Sequence, residues 1–248
     1  MMAQMTMHEI DAAALRCTRL AVGVRETELE QILGVDAGTV AAWEERRAPL
    51  DEDAIGVLAD ITAAAAAQTV LLVEQAAETG QILTFTEDLD TVAATGDRLQ
   101  LASVHRVCAG RAAIAVPSAS VTLRDAAGED RDGWTMCVAI ACGLGHSQMH
   151  KWFDVPRRVA QRWLVGERPV PEGVANELAA IAAAARTHVD DLTAQIDPED
   201  PVVWVCATEE QMEQTWPEHT DLPLTTHQIC AARAAAGVDG ARLVYLPG

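Results

Sequence analysis

Apolar residues recur at helical spacing through most of this chain, and the pattern occurs twice. From Asp11 to Ala21, and again from Gly133 to Cys142, the spacing predicts a first helix, followed by Gly23 or Gly143 as a stop signal. Thr27 and Ser147 are N-cap candidates for a second helix, with Glu30 three residues after Thr27 as in a capping box. That helix ends near Gly34 or Asp154. A third helix runs from Ala37 to Glu45 and from Arg157 to Val165. In its second occurrence Val159, Ala160 and Trp163 form an apolar stripe for the core, and Pro156 suits the first helical position, where a missing N–H goes unneeded. Pro49, and Pro169 with Pro171, mark the next break. A long, alanine-rich fourth helix covers Glu52 to Glu78 and Glu172 to Ala194.

After the long helix the pattern changes. Ile82–Phe85 and Val202–Val205 are short apolar runs bounded by turn residues, consistent with buried strands. A further helix holds residues 105–113 and 227–235, and strands over 120–123 and 242–246 close each copy. Trp43 and Trp163 are 120 residues apart (163 − 43), and this offset aligns Cys17 with Cys137, Gly23 with Gly143, Val35 with Val155 and Leu58 with Leu178. A repeat this long means two copies of one domain rather than a solenoid. The expected fold is mainly α with minor β (α+β), each copy a head of four to five helices followed by a small α+β tail. The first repeat covers 1–124 (head 11–79, tail 80–124), the charged, glycine-bearing stretch 125–132 is a linker, and the second repeat covers 133–248 (head 133–196, tail 197–248).

The chain's 248 residues suffice for two modest domains, and half of them are hydrophobic, which excludes disorder. Its 18 basic against 37 acidic residues give a net charge of −19, the opposite of the usual nucleic-acid-binding footprint. Any DNA contact therefore requires a local basic surface. Six cysteines without a CxxC pair are expected as free thiols in a reducing cytosol. Met1–Met7 has no basic region followed by an apolar run, and the longest apolar run, Ala63 to Val73, is interrupted by Gln68 and Thr69 and too short to span a membrane. A cytoplasmic protein without membrane contact is expected.

The two copies differ most on the outward face of the third helix. Arg157, Arg158, Gln161 and Arg162 correspond to Ala37, Gly38, Ala41 and Ala42. Arginine makes bidentate contacts to guanine and glutamine to adenine, whereas a face of small residues cannot read base edges. Lys151 and Arg168 add phosphate contacts in the second copy; in the first, Thr39, Arg46 and Arg47 are the remaining candidates. The net charges of the halves, −9 for 1–124 and −10 for 125–248, do not distinguish them, so the asymmetry is local. His105 with Cys108, and His227 with Cys230, form a second constellation. At i and i+3 each pair shares a helix face, and the four are either a Cys₂His₂ metal site between paired tails or small packing residues with locally bonded histidines. No Gly-rich phosphate loop, HExxH or GxSxG occurs, so no catalysis and no cofactor are expected.

Leu29, Leu33-Gly34-Val35, Thr39-Val40 and Trp43-Glu44 resemble the core of the Cro/repressor (XRE-type) helix-turn-helix. Within that class each copy is similar to the YdiL-like proteins and the anti-CRISPR-associated autorepressors, through Trp163, Gly166, Val170-Pro171, Leu178 and Gln228 with Ala231-Ala232. The copies depart from that pattern at Leu164, Arg46 and Asp51, where glutamate, glycine and proline are expected. The resemblance implies a non-enzymatic repressor that binds a double-stranded DNA operator and pairs with itself through the tails, within one chain or between two. It also admits RNA as a partner. The competing expectation is a protein-interaction module, an antirepressor or decoy that keeps the fold without DNA binding.

Overall fold

The computed structural model describes residues 7–219 and 221–247, so the N-terminal stretch read for a leader falls almost wholly outside the described residues. The chain is mainly helical with short strands, as the apolar pattern predicts. In order it forms α1 (Met7–Val22), α2 (Glu26–Leu33), α3 (Thr39–Glu44), α4 (Glu52–Thr79), β1 (Gln81–Phe85), α5 (Asp88–Thr95), α6 (Ala102–Ala115), β2 (Ser120–Arg124), β3 (Asp130–Asp132), α7 (Trp134–Ala141), α8 (His146–Trp152), α9 (Arg157–Leu164), α10 (Glu172–Ala194), β4 (Val202–Val205), α11 (Glu209–Thr215), a 3₁₀ turn (Pro217–His219), α12 (Leu224–Ala236) and β5 (Arg242–Tyr245).

The compact units do not follow the repeats. One unit combines the chain up to Asp60 with the chain from Ala184 onward; the other is Ile61–Ala183. The head of the first repeat thus shares a core with the tail of the second, and the tail of the first with the head of the second. In the first unit α1 packs on α12 and β5, burying Leu15, Cys17, Ile229, Cys230 and Val244. In the second unit α6 packs on α7 and β1, burying Val107, Cys108, Ile82, Cys137 and Val138. Gly110 is required at the α6–α7 contact, because a Cβ there would lie 2.0 Å from the Cys137 carbonyl oxygen. Each long helix passes from one unit into the other.

Each tail builds a parallel strand pair. β1 pairs with β2 from Gln81↔Ser120 to Phe85↔Arg124, and β4 pairs with β5 from Val202↔Arg242 to Val205↔Tyr245. In the second unit β3 adds antiparallel to β2, Thr122 opposite Asp132. This corrects the reading of 125–132 as a linker. The Asp125 carboxylate accepts from the Ala127 and Glu129 N–H groups, both at 3.0 Å, and so bends the chain back; Asp130 then accepts from Arg124 at 2.7 and 2.9 Å. Charge and glycine here make a hairpin turn.

Two N-cap expectations are also corrected. Helix α2 starts at Glu26 with Arg25 as N-cap, and Glu28 turns back to accept from the Arg25 N–H at 2.7 Å and from its guanidinium at 2.6 Å. Helix α8 starts at His146 with Gly145 as N-cap, so Thr27 and Ser147 lie inside the first turns. Pro156 is itself the N-cap of α9. By length and composition alone, α4 over Asp53–Thr79 is apolar enough to cross a membrane; 22% of its most apolar window is buried inside the fold.

Candidate functional site

The third helix of each head is fixed by the turn that precedes it, and aligned residues fix it with opposite polarity. In the first repeat Glu30 is buried, and one carboxylate oxygen accepts from the Gly38 N–H at 2.7 Å and the Val40 N–H at 3.3 Å. Glu30 therefore closes the turn into α3 rather than capping α2. In the second repeat position 150 is histidine, and its Nδ1–H donates to the Val155 carbonyl at 2.6 Å. Gly34 and Asp154, also aligned, both take the left-handed conformation at φ 68° and 46°. Arg46 and Gly166 do likewise at φ 59° and 71°, so arginine in place of the expected glycine leaves that turn intact.

On α9, Ala160, Trp163 and Leu164 are buried, and Val159 is half-buried. Arg157, Arg158, Gln161 and Arg162 are exposed on the opposite side, with Lys151 exposed on α8 and Arg168 just beyond α9. Arg157, Arg158, Gln161, Lys151 and Arg168 have no side-chain partner among the described residues. Arg162 differs, its Nε donating to Glu167 at 3.3 Å. A cleft of about 440 Å³ beside α9 is lined by Arg158, Gln161, Arg162 and Arg131, and by the acids Asp125 and Glu167. Arg131 is held by Asp125 at 2.9 Å.

The corresponding face of α3 offers no equivalent. Ala37 and Gly38 are exposed, Ala41 and Ala42 half-buried, and Thr39 is the half-buried first residue of the helix. Arg46 lies over the Tyr245 ring, 4.9 Å from its centroid, and Arg47 pairs with Glu45 at 2.5 Å. Beneath this face lies a buried ion pair, Arg19 with Glu44, at 2.6 and 2.9 Å.

The His-x-x-Cys residues are occupied locally. In the second unit the His105 ring nitrogens lie 2.9 Å from Thr84 Oγ1 and 3.5 Å from Gln68 Nε2, and the Cys108 thiol donates to the Ala65 carbonyl at 3.4 Å. In the first unit the Cys230 thiol donates to the Ala185 carbonyl at 3.3 Å, and the His227 Nδ1 lies 2.8 Å from His188 Nε2. Each tail helix is latched to its long helix at aligned positions. Burial pushes the Cys108 thiol up, Cys137 to about 12 and Cys206 to about 11, so these thiols stay protonated.

Around His227 the protons can be placed. Its Nε2 accepts from the Cys206 N–H at 3.0 Å. Burial lowers His227 to about 4, and burial followed by His227 and His219 lowers His188 to about 3, so both are neutral at pH 7. The His227 proton therefore sits on Nδ1 and is donated to His188 Nε2, which leaves the His188 proton on Nδ1. That nitrogen is buried and has no partner. The His188 ring packs 4.2 Å from the His219 ring, and His219 Nε2 lies 2.9 Å from Asp191 Oδ2. Among the described residues His188, Asp191 and His219 form the group with metal-ligand geometry, and none of the four His-x-x-Cys residues belongs to it. The His188-x-x-Asp191 spacing on α10 was visible in the sequence, but His219 comes from a turn 28 residues further on (219 − 191), which no periodicity announces.

No family model, curated protein or solved structure matches this chain.

Proposed function

We propose that the protein is a sequence-specific DNA-binding regulator, a repressor by occlusion, that reads the major groove with α9. The observation that carries this reading is the α9 face. Arg157, Arg158 and Gln161 are exposed, and unpartnered among the described residues, on a helix whose other side is anchored by Ala160, Trp163 and Leu164. Side chains of this type, free to turn toward base edges, match the donor and acceptor patterns of guanine and adenine. Arg157 and Arg158, with Lys151 and Arg168 nearby in sequence, supply local positive charge within an acidic chain. The remaining acidity suppresses non-specific binding, since the phosphate-driven term scales with cationic contacts.

Head one serves as a structural partner in this reading, its third helix bearing alanine and glycine where head two bears arginine and glutamine. A single competent head per chain implies that two chains present two reading helices to a palindromic site, with half-sites about one helical turn apart. Selection of bound duplexes from a random pool, read by gel shift at low salt, tests it. The Glu167–Arg162 pair and the −19 net charge favour a second reading, a protein-interaction module that has lost DNA binding. Failure to retain any duplex above background supports that alternative.

A further inference from the structure

We propose that His188, Asp191 and His219 form a binding site for one divalent transition metal ion, with zinc as the best chemical match. His188 and Asp191 lie three residues apart on α10 and so share a face; His219 is brought to them by the 3₁₀ turn that follows α11. One donor atom from each lies within 4.8 Å of the others. A tetrahedral ion with bonds near 2.0 Å needs donor separations of roughly 3.3 Å. The half-exposed Asp191 and the 3₁₀ turn can close that difference. Two imidazoles and one carboxylate suit zinc, and three protein ligands leave a fourth position for water.

An independent observation points to a ligand. The His188 Nδ1 is fully buried, yet it is the one nitrogen of the His188–His227 pair with nothing to bond. The first repeat has Gln68 at the aligned position on α4, in contact with His105, so only the second repeat carries the histidine. In the ion-free chain the hydrogen bonds run from the Cys206 N–H through His227 to His188. A metal on His188 Nδ1 turns that chain round. The His188 proton moves to Nε2 and is donated to His227 Nδ1, and the His227 proton moves to Nε2, so the Cys206 N–H gives up its acceptor. No proton is gained or lost at His188 and His227, whereas the proton that His219 shares with Asp191 must move to the other ring nitrogen or leave as the ion enters. The loss of one buried bond lowers the affinity below that of an unstrained site, and it ties occupancy to the end of β4.

The test is titration of the full-length, chelator-treated protein with Zn²⁺ and with Co²⁺, alongside Asp191→Asn and His219→Gln, whose folding is checked by circular dichroism. The expected result is about one ion per chain, Co²⁺ bands of tetrahedral nitrogen and oxygen ligation, and a shifted Cys206 amide resonance. Each variant should weaken binding by more than the roughly tenfold that an outer-shell change costs. Substoichiometric binding overturns the proposal. So does cobalt–thiolate charge transfer, or affinity unchanged in both variants. DNA binding by α9 does not enter the titration, so its failure leaves the DNA reading untouched.

Discussion

Arg19 and Glu44 form a buried ion pair in the first head, and at the aligned positions of the second head stand Ala139 and Leu164, both buried. Arg19 donates to both Glu44 oxygens and to the Val24 carbonyl, and Arg16 reaches Glu44 at 3.4 Å. Met136 stands where Arg16 would be. One scaffold thus carries two solutions at one place, a charge network and an apolar cluster.

That pairing predicts strong coupling. Glu44→Leu alone leaves Arg19 buried without its counter-charge and should cost about 3–5 kcal/mol in urea unfolding. Arg19→Ala with Glu44→Leu, which copies the second head, should cost clearly less. Equal losses in the single and double variants would show that the pair is not what holds this helix.

The α6–α7 contact makes a second prediction. Gly110→Ala drives a methyl into the Cys137 carbonyl and should destabilise by about 1–3 kcal/mol. Ala232, aligned with Gly110 in the other tail at an offset of 122 (232 − 110), already carries the methyl. Gly110→Ala with unchanged thermal stability contradicts the packing described.

His105 predicts a pH dependence. Burial, then Arg106, lowers it from 6.5 to about 4, so the folded chain keeps it neutral where the unfolded chain protonates. Its contribution is complete above about pH 6.5 and is lost as pH falls through about 4, on the order of 3 kcal/mol in all. His105→Gln, which can still bond Thr84, should flatten that part of the stability profile. An unchanged slope in the variant assigns the acid sensitivity elsewhere.

Much of this architecture is legible in the sequence because helices and strands announce themselves through their apolar periods. The long helices, the four tail strands, and Ala160 and Trp163 of the α9 stripe fall where the pattern puts them, while Val159 is only half-buried and Leu164 joins the core instead. Helices α5 and α11 escaped, being short and acid-rich. Strand β3 was hidden because its residues, Asp130, Arg131 and Asp132, have no apolar alternation. The sharing of cores between head one and tail two was not legible for a different reason. The two copies present matching faces, and a periodic pattern states which face is buried without stating against which copy. At the candidate interface the contrast between Arg157, Arg158, Gln161 and Ala37, Gly38, Ala41 was readable directly; the capture of Arg162 by Glu167 was not, because it depends on how the chain turns after α9.

That capture yields a prediction for the DNA reading. Glu167→Gln removes an acid beside α9 and frees Arg162, so it should tighten duplex binding and steepen the dependence of affinity on salt. Weaker binding in this variant would mean that the pair positions Arg162 for contact.

The most direct measurement is gel shift on duplexes selected from a random pool, comparing the native chain with Arg158→Ala, Gln161→Ala and Thr39→Ala. A defined site should emerge. Arg158→Ala and Gln161→Ala should each lose about 1–3 kcal/mol and relax one base position, while Thr39→Ala stays near the native value. No duplex retained above background at low salt, or equal losses from Thr39→Ala and Arg158→Ala, contradicts a reading surface on α9.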